Sequence, residues 1–255
     1  MDLSIIIVNF NTKKLVLDCI SSIKKNTKKV KYEIIVVDNA STEKIPSSKD
    51  YKLIVNKENK GFAYANNQGI REAKGNYIFL LNSDTIVKEE AIDKLYYFAE
   101  KHEEVGVVVP QLLNTDGTTQ ASVFRLPTIT NALGQYFLGR KGILDKYIPE
   151  GKEPIEVESA VMAAYLITPQ ALKKVGKLNE KYFMYFEDLD YSRSINESGL
   201  KIYYLPNAQI IHIHGASGGK NKYLIDSAKK YHGFVEYYIY TFILWLGQKW
   251  DRVFR

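Results

Sequence analysis

The chain has 255 residues, of which 45% are hydrophobic and 25% charged, with a net charge of +6 and a single cysteine. This is ordinary globular composition with enough apolar residues for a sizeable core, and a lone Cys19 excludes an internal disulfide framework and a clustered-cysteine zinc site, as suits a reducing cytoplasm. The positive balance suits an anionic partner such as a nucleotide, a nucleic acid or an acidic lipid headgroup, although the cluster Lys24, Lys25, Lys28, Lys29 and Lys31 is by itself explained by a solvated helix end.

Residues 5–8 form a continuous apolar run that lacks a basic leader and a small-residue cleavage site, and is too short to span a bilayer. It reads as a buried strand ending at Asn9, and residues 15–23 follow with apolar positions at helical spacing. Residues 34–37 repeat the strand pattern and stop at Asp38, and residues 53–55 give a third strand before Gly61 and Phe62. A helix is expected from about 64 to 73, with Gly75 as its stop. Residues 77–81 are a fourth strand running into Asn82, Ser83 and Asp84, residues 89–102 an amphipathic helix, and residues 105–109 a fifth strand. Short apolar strands alternating with helices predict a parallel sheet covered on both faces, whose ligands sit outside the carboxyl ends of the strands, where Asn9, Asp38 and Asp84 all fall.

Beyond Pro110 the texture changes. A turn at 114–117 and a hairpin strand near 120–124 precede residues 126–156, which lack clear periodicity and read as loops and short helices. Residues 157–167 are apolar and buried, and Pro169 opens a helix to 175. Residues 201–205 and 210–214 read as two strands separated by a turn at Pro206 and Asn207. The stretch 223–255 is aromatic and basic, and its apolar centre, 239–246, is too short to cross a membrane. It lies either on a membrane surface or packed on the domain or a dimer partner.

Four features carry chemistry. Asp84, one residue after Asn82 at a strand end, is a hard oxygen donor suited to Mg²⁺ or Mn²⁺ rather than zinc. Asp38 can accept the imide N–H of a uracil or thymine ring, or equally cap the following turn. His212 and His214 alternate on one strand face, where either can complete a metal site begun by Asp84 or serve a structural role. Glu187, Asp188 and Asp190 arrive together and repel one another, so they form either a functional cluster or the acidic first turn of a helix with Asp190 pairing to Arg193 at i+3. No GxGxxG, GxxxxGK[ST] or GxSxG pattern is present, which disfavours dinucleotide oxidoreductases, P-loop enzymes and serine hydrolases, and no aromatic-interleaved basic patch points to nucleic acid.

Five segments in order, Ile7-Val8-Asn9-Phe10-Asn11, Val36-Val37-Asp38-Asn39-Ala40-Ser41, Asn59-Lys60-Gly61-Phe62-Ala63-Tyr64-Ala65-Asn66-Asn67, Leu81-Asn82-Ser83-Asp84-Thr85 and Phe183-Met184-Tyr185-Phe186-Glu187-Asp188-Leu189-Asp190, resemble family-two inverting glycosyltransferases, particularly the bacterial rhamnosyltransferase-like branch. The resemblance implies an α/β GT-A fold, a Rossmann-like mixed sheet flanked by helices with a C-terminal helical segment. It implies a transferase domain over 1–218, split into a nucleotide-binding half (1–110) and an acceptor-binding half (111–218), with 219–255 as an extension. The donor would be a UDP- or dTDP-sugar, dTDP-rhamnose being favoured by the resemblance, and the acceptor a saccharide or lipid-linked hydroxyl in cell-surface polysaccharide synthesis. The cofactor would be Mg²⁺ or Mn²⁺, and the location cytoplasmic or peripheral on the inner face of the membrane. Asn9, Asp38, Gly61, Phe62, Asn66 and Ser83 match nucleotide-binding positions. Asp84 resembles the metal-binding last residue of the DxD motif, His212, five residues before Ser217, the histidine near the metal with His214 as its rival, and Asp188 the catalytic base. Glu187, Asp190 and Arg193 support the acceptor side. Asn82 in place of the first DxD aspartate, Ala163-Ala164 and Leu178-Asn179-Glu180 depart from the common pattern. A nucleotidyltransferase, or a non-catalytic nucleotide-sugar or glycan-binding module, is the alternative.

Overall fold

The computed structural model describes residues 1–138, 145–213 and 221–254. The first half of the chain alternates β1 (Leu3–Asn9), α1 (Lys13–Asn26), β2 (Tyr32–Asp38), β3 (Lys52–Val55), α2 (Phe62–Glu72), β4 (Tyr77–Asn82), β5 (Thr85–Val87), α3 (Ala91–Lys101) and β6 (Val105–Leu113). The second half contributes β7 (Val123–Phe124), α4 (Ile129–Phe137), β8 (Ile155–Val157), β9 (Ser159–Ala160), β10 (Ala164–Ile167), α5 (Pro169–Lys174), α6 (Glu187–Glu197) and β11 (Lys201–His212), and α7 (Asn221–Phe254) closes the chain.

The main sheet runs β3-β2-β1-β4-β10-β6-β11-β5, with β8 added on β11. It is mixed rather than all parallel: β1, β2, β3 and β4 run together, but β10 inserts antiparallel between β4 and β6. Side chains alternate faces along each strand. Ile5, Ile7, Val36, Phe79 and Leu81 therefore pack with α1 and α3, while Ile6, Ile35, Ile78 and Leu80 pack with α2, α5 and α6. The parallel register sets Asn9 level with Asp38 and Val8 level with Asn82, so the polar strand ends share one rim.

Cys19 is fully buried in that core, 3.4 Å from the Thr85 hydroxyl, and burial pushes its thiol up to about 12.

Two strands expected on either side of a turn are one strand. β11 stays parallel to β6 through Pro206 by slipping register between Leu205 and Gln209. Proline has no N–H to give the ladder, so the strand bulges there instead of ending. The unforeseen β5 follows Asp84 directly and pairs antiparallel with β11, His212 opposite Thr85, and the Ile213 N–H donates to the Asp84 carbonyl at 2.8 Å.

The two halves are cross-linked by Asn67 on α2. Its carboxamide donates to the Leu178 carbonyl (2.8 Å) and to Glu180 (2.9 Å), and accepts the Leu178 N–H (3.0 Å). Asn67 and Leu178 are buried while Glu180 is exposed, and buried backbone groups stripped of such partners cost about 1–3 kcal/mol each. Asn67→Ala is expected to lower stability by about 2–4 kcal/mol in urea unfolding, more than a surface Asn→Ala change.

Candidate functional site

A cavity of about 910 Å³ lies at the carboxyl rim of the parallel strands, between them and the segment 183–189, with α7 forming part of its wall. On the strand side a buried polar network sets the floor. The Asn9 carboxamide donates to Asp38 Oδ1 (2.9 Å) and Ser41 (2.8 Å), and its oxygen accepts from the Thr12 N–H (3.1 Å) and hydroxyl (2.8 Å). Thr12 then bonds Ser83 at 2.8 Å, and the Ser41 hydroxyl donates to Asp38. Thr12 and Ser83 face the cavity; Asn9 and Asp38 are not among its lining residues and stand behind the wall, holding it. Asn66 also does not line it, because its amide donates back to Phe62 within α2 at 3.0 Å.

Asn39 and Asn59 line the cavity and escaped sequence reasoning, although they neighbour Asp38 and Lys60-Gly61 in two of the motifs. Asn39 Nδ2 donates to Asn59 (2.7 Å) and to the Gly61 carbonyl (3.2 Å), and Asn59 accepts the Gly61 N–H (2.9 Å). Gly61 has φ +97, and a Cβ there would stand 2.5 Å from the Phe183 carbonyl oxygen. Only glycine tolerates both the conformation and the contact. The next N–H, of Phe62, donates to that same carbonyl at 2.8 Å, so α2 begins against the segment that leads to the acids.

Asp84 and His212 meet because β5 and β11 pair. Asp84 Oδ1 lies 3.4 Å from His212 Nε2, both side chains buried and both lining the cavity. Gln120 orients the ring. Its amide nitrogen donates to Asn114 (3.0 Å) and to the His212 carbonyl (3.4 Å), which leaves its oxygen to accept from His212 Nδ1 at 2.8 Å. With Nδ1 turned to Gln120, Nε2 and the Asp84 carboxylate converge on one point, an arrangement that fits a divalent cation. Among the described residues no group of three or more His, Cys, Asp or Glu assembles, so the remaining ligands would come from substrate oxygens and water, as is usual for Mg²⁺-type sites. His214 and Ser217 lie outside the described residues.

Opposite stand the acids. Tyr185 and Phe186 both adopt left-handed backbone, φ 70 and 66, and turn the chain sharply into α6, which starts at Glu187. Glu187 is buried, its Oε2 has no hydrogen-bond partner among the described residues, and burial followed by the neighbouring Asp188 charge raises its carboxyl to about 8. Asp188 is more open to the cavity. Burial raises its carboxyl too, opposed by N–H groups of Leu189 (2.8 Å) and Met162 and by the Lys146 charge. Asp190 points elsewhere: it accepts from Tyr182 (2.9 Å), Asn179 (3.3 Å) and Arg193 (2.9 Å), and Arg193 lies 4.3 Å over the Tyr231 ring of α7. Neither Asp190 nor Arg193 lines the cavity; together they fix α6 to the 179–182 loop and to α7.

A mixed sheet with its parallel strand ends opening into such a cavity is the GT-A fold, and the chain superposes on a crystal structure of GalNAc-T7 with UDP, GalNAc and Mn²⁺ with a TM-score of 0.69 at 19% identity, over 93% of this chain and 49% of that one. Residues 4–151 match the family described as glycosyl transferase family 2, and the chain belongs to that family. Its relatives include a low-salt glycan biosynthesis hexosyltransferase of Haloferax volcanii, 27% identical over 79% of this chain and 64% of the relative. A glycosyltransferase of Streptococcus pneumoniae is 35% identical over 45% and 40% of the two chains. An N-acetylglucosaminyl-diphospho-decaprenol L-rhamnosyltransferase of Mycobacterium tuberculosis is 25% identical over 74% and 68%. The family is the one the five sequence segments resemble, while the match to the first two relatives spans less than two thirds of their length.

The buried acids carry a linkage consequence. A carboxyl whose folded pKa is raised holds a proton that the unfolded chain has released, so stability falls as pH rises from the ordinary value of 4.5 toward about 8 for Glu187. In Glu187→Gln that loss is expected to shrink, giving a flatter melting temperature against pH across this window; parallel curves for the two proteins would contradict the shift.

Proposed function

We propose that the protein is an inverting glycosyltransferase that moves a sugar from a UDP- or dTDP-sugar to a hydroxyl of a saccharide or lipid-linked acceptor in cell-surface polysaccharide synthesis, working on the cytoplasmic side. The observation that carries the reading is one cavity with Asp84 and His212 on the strand side and Asp188 on the other. Similarity to the mycobacterial rhamnosyltransferase favours dTDP-rhamnose as donor, and the Mn²⁺ that accompanies UDP in the GalNAc-T7 crystal structure favours a divalent cation of that type.

Asp84 and His212 are the residues that would hold the cation. Bound there, it would neutralise charge developing on the leaving diphosphate as a Lewis acid. The strand-end network keeps Ser83 and Thr12 rigid beside the diphosphate, and Asn59, held in place by Asn39, offers its amide to the nucleoside; Asp38 and Asn9 act by fixing that wall. Asp188 takes the proton from the acceptor hydroxyl as its oxygen attacks the anomeric carbon and the C–O bond to the diphosphate breaks. Burial raises its carboxyl, which makes the ionised form a stronger base, while its N–H partners and Lys146 oppose that rise. Glu187, protonated at neutral pH, is a donor that can orient an acceptor or sugar hydroxyl without adding a second negative charge. Asp190 and Arg193 position α6. A nucleotidyltransferase or a binding module would have no use for a buried, cavity-facing pair of acids.

Transfer from a panel of UDP- and dTDP-sugars with Mn²⁺ tests the class directly. In that assay Asp188→Asn is expected to bind donor with unchanged affinity by calorimetry but to lose about 10²–10⁴-fold in kcat. Near-normal turnover would sink the assignment. Gln120→Leu, which frees the imidazole to rotate, is expected to weaken Mn²⁺ binding about 10–100-fold, read by the free Mn²⁺ resonance signal.

A further inference from the structure

The helix α7 bends at Gly233, whose φ of 73 and ψ of 171 divide it into two segments. The second segment has two faces. Tyr237, Tyr240, Thr241 and Leu244 turn inward and line the cavity. Phe234, Tyr238, Phe242, Trp245 and Leu246 turn outward, 78%, 51%, 57%, 49% and 37% exposed, at the i, i+4, i+8, i+11, i+12 spacing of a single helical stripe. Large exposed apolar stripes on a soluble domain mark a surface that something covers.

What covers it is indicated by charge and length. Between Phe234 and Gln248 the only charged residue is Glu236. Exposed Lys229 and Lys230 precede the bend, and exposed Lys249 follows the stripe with its ammonium 4.1 Å over the Trp245 ring. Aromatic rings at an apolar boundary with lysines beside them match the headgroup region of an anionic bilayer. Residues 234–249 reach roughly 24 Å along the axis, and no described helix is long and apolar enough to cross a membrane, so the segment lies in the plane. A second copy on the same face would bring its own lysines against these.

We infer that the second segment of α7 seats the protein on an anionic lipid surface. Because the inner face of the same helix walls the cavity, the seat holds the mouth beside the bilayer, where a lipid-linked acceptor would present its hydroxyl to Asp188. The acceptor half of this inference rests on the transferase reading; the seat does not.

The test is flotation of the full chain with phosphatidylcholine vesicles with and without phosphatidylglycerol. Wild type is expected to float with the anionic vesicles, and Phe242→Glu/Trp245→Glu, at two exposed positions outside the cavity, to bind about tenfold less or weaker still. Phe242→Leu/Trp245→Leu, which keeps apolar area, should float, and circular dichroism should find all three equally helical. Equal flotation of wild type and the glutamate variant overturns the seat. So does a wild-type dimer in sedimentation that does not float and that the glutamate variant dissociates, since that outcome assigns the stripe to a second copy. Donor turnover measured with water as acceptor is expected to be alike in all three. Its absence in every protein would refute the transferase reading while flotation still decides the seat.

Discussion

The cavity exists because one carbonyl, that of Phe183, is held against the start of α2. It accepts the Phe62 N–H at 2.8 Å across a glycine that has no room for a Cβ, and five residues along α2 the Asn67 carboxamide grips Leu178 and Glu180. These contacts join residues more than a hundred positions apart in the chain. Loop closure over that distance is entropically unfavourable, and buried hydrogen bonds with backbone partners offset it with directionality that apolar packing lacks. Without them the segment 183–189 would be tied to the strand rim only indirectly, through the packing of α6 and α7.

Each side then handles charge differently. On the strand rim, Asp84 and His212 face a shared space, and Gln120 fixes the ring by using its amide nitrogen and oxygen in opposite directions. Across the cavity, Glu187 and Asp188 are adjacent acids in a poorly solvated place, and the raised Glu187 carboxyl spares them mutual repulsion. They are carried on two consecutive left-handed residues, Tyr185 and Phe186, of a kind that costs about 1–3 kcal/mol apiece. The Phe186 ring packs at 5.2 Å on Tyr231, so α7 holds the turn in place. Wall, turn and acids are thus one mechanical unit.

The parallel half was legible in the sequence because its strands are continuous apolar runs, each stopping at a polar residue, and because residues such as Asn9 and Asp38 fall level in register. What was illegible depended on pairing at a distance. β5 is three residues long and exists only because β11 comes beside it; β10 gives no sign in sequence that it runs antiparallel. Pro206 and Asn207 carry a turn signature that the neighbouring β6 overrides. Asn66 and Asn67 are adjacent and alike in sequence, and helical phase alone sends one back to its own backbone and the other to Leu178. Gln120 had no motif, since its role arises from the fold of β11 around it. Asp188 stood out through its setting among aromatic and acidic residues, and the pairing of Asp190 with Arg193 followed from i+3 spacing.

The buried Cys19 has a practical consequence. With its thiol pushed to about 12 and closed off in the core, it holds almost no thiolate near neutral pH, so maleimides and other thiol reagents would pass it by. The chain is therefore a natural blank for site-directed labelling: a cysteine introduced on the outer stripe of α7 would be the sole reactive thiol, and a polarity-sensitive dye attached there would report its surroundings with no background from the native residue.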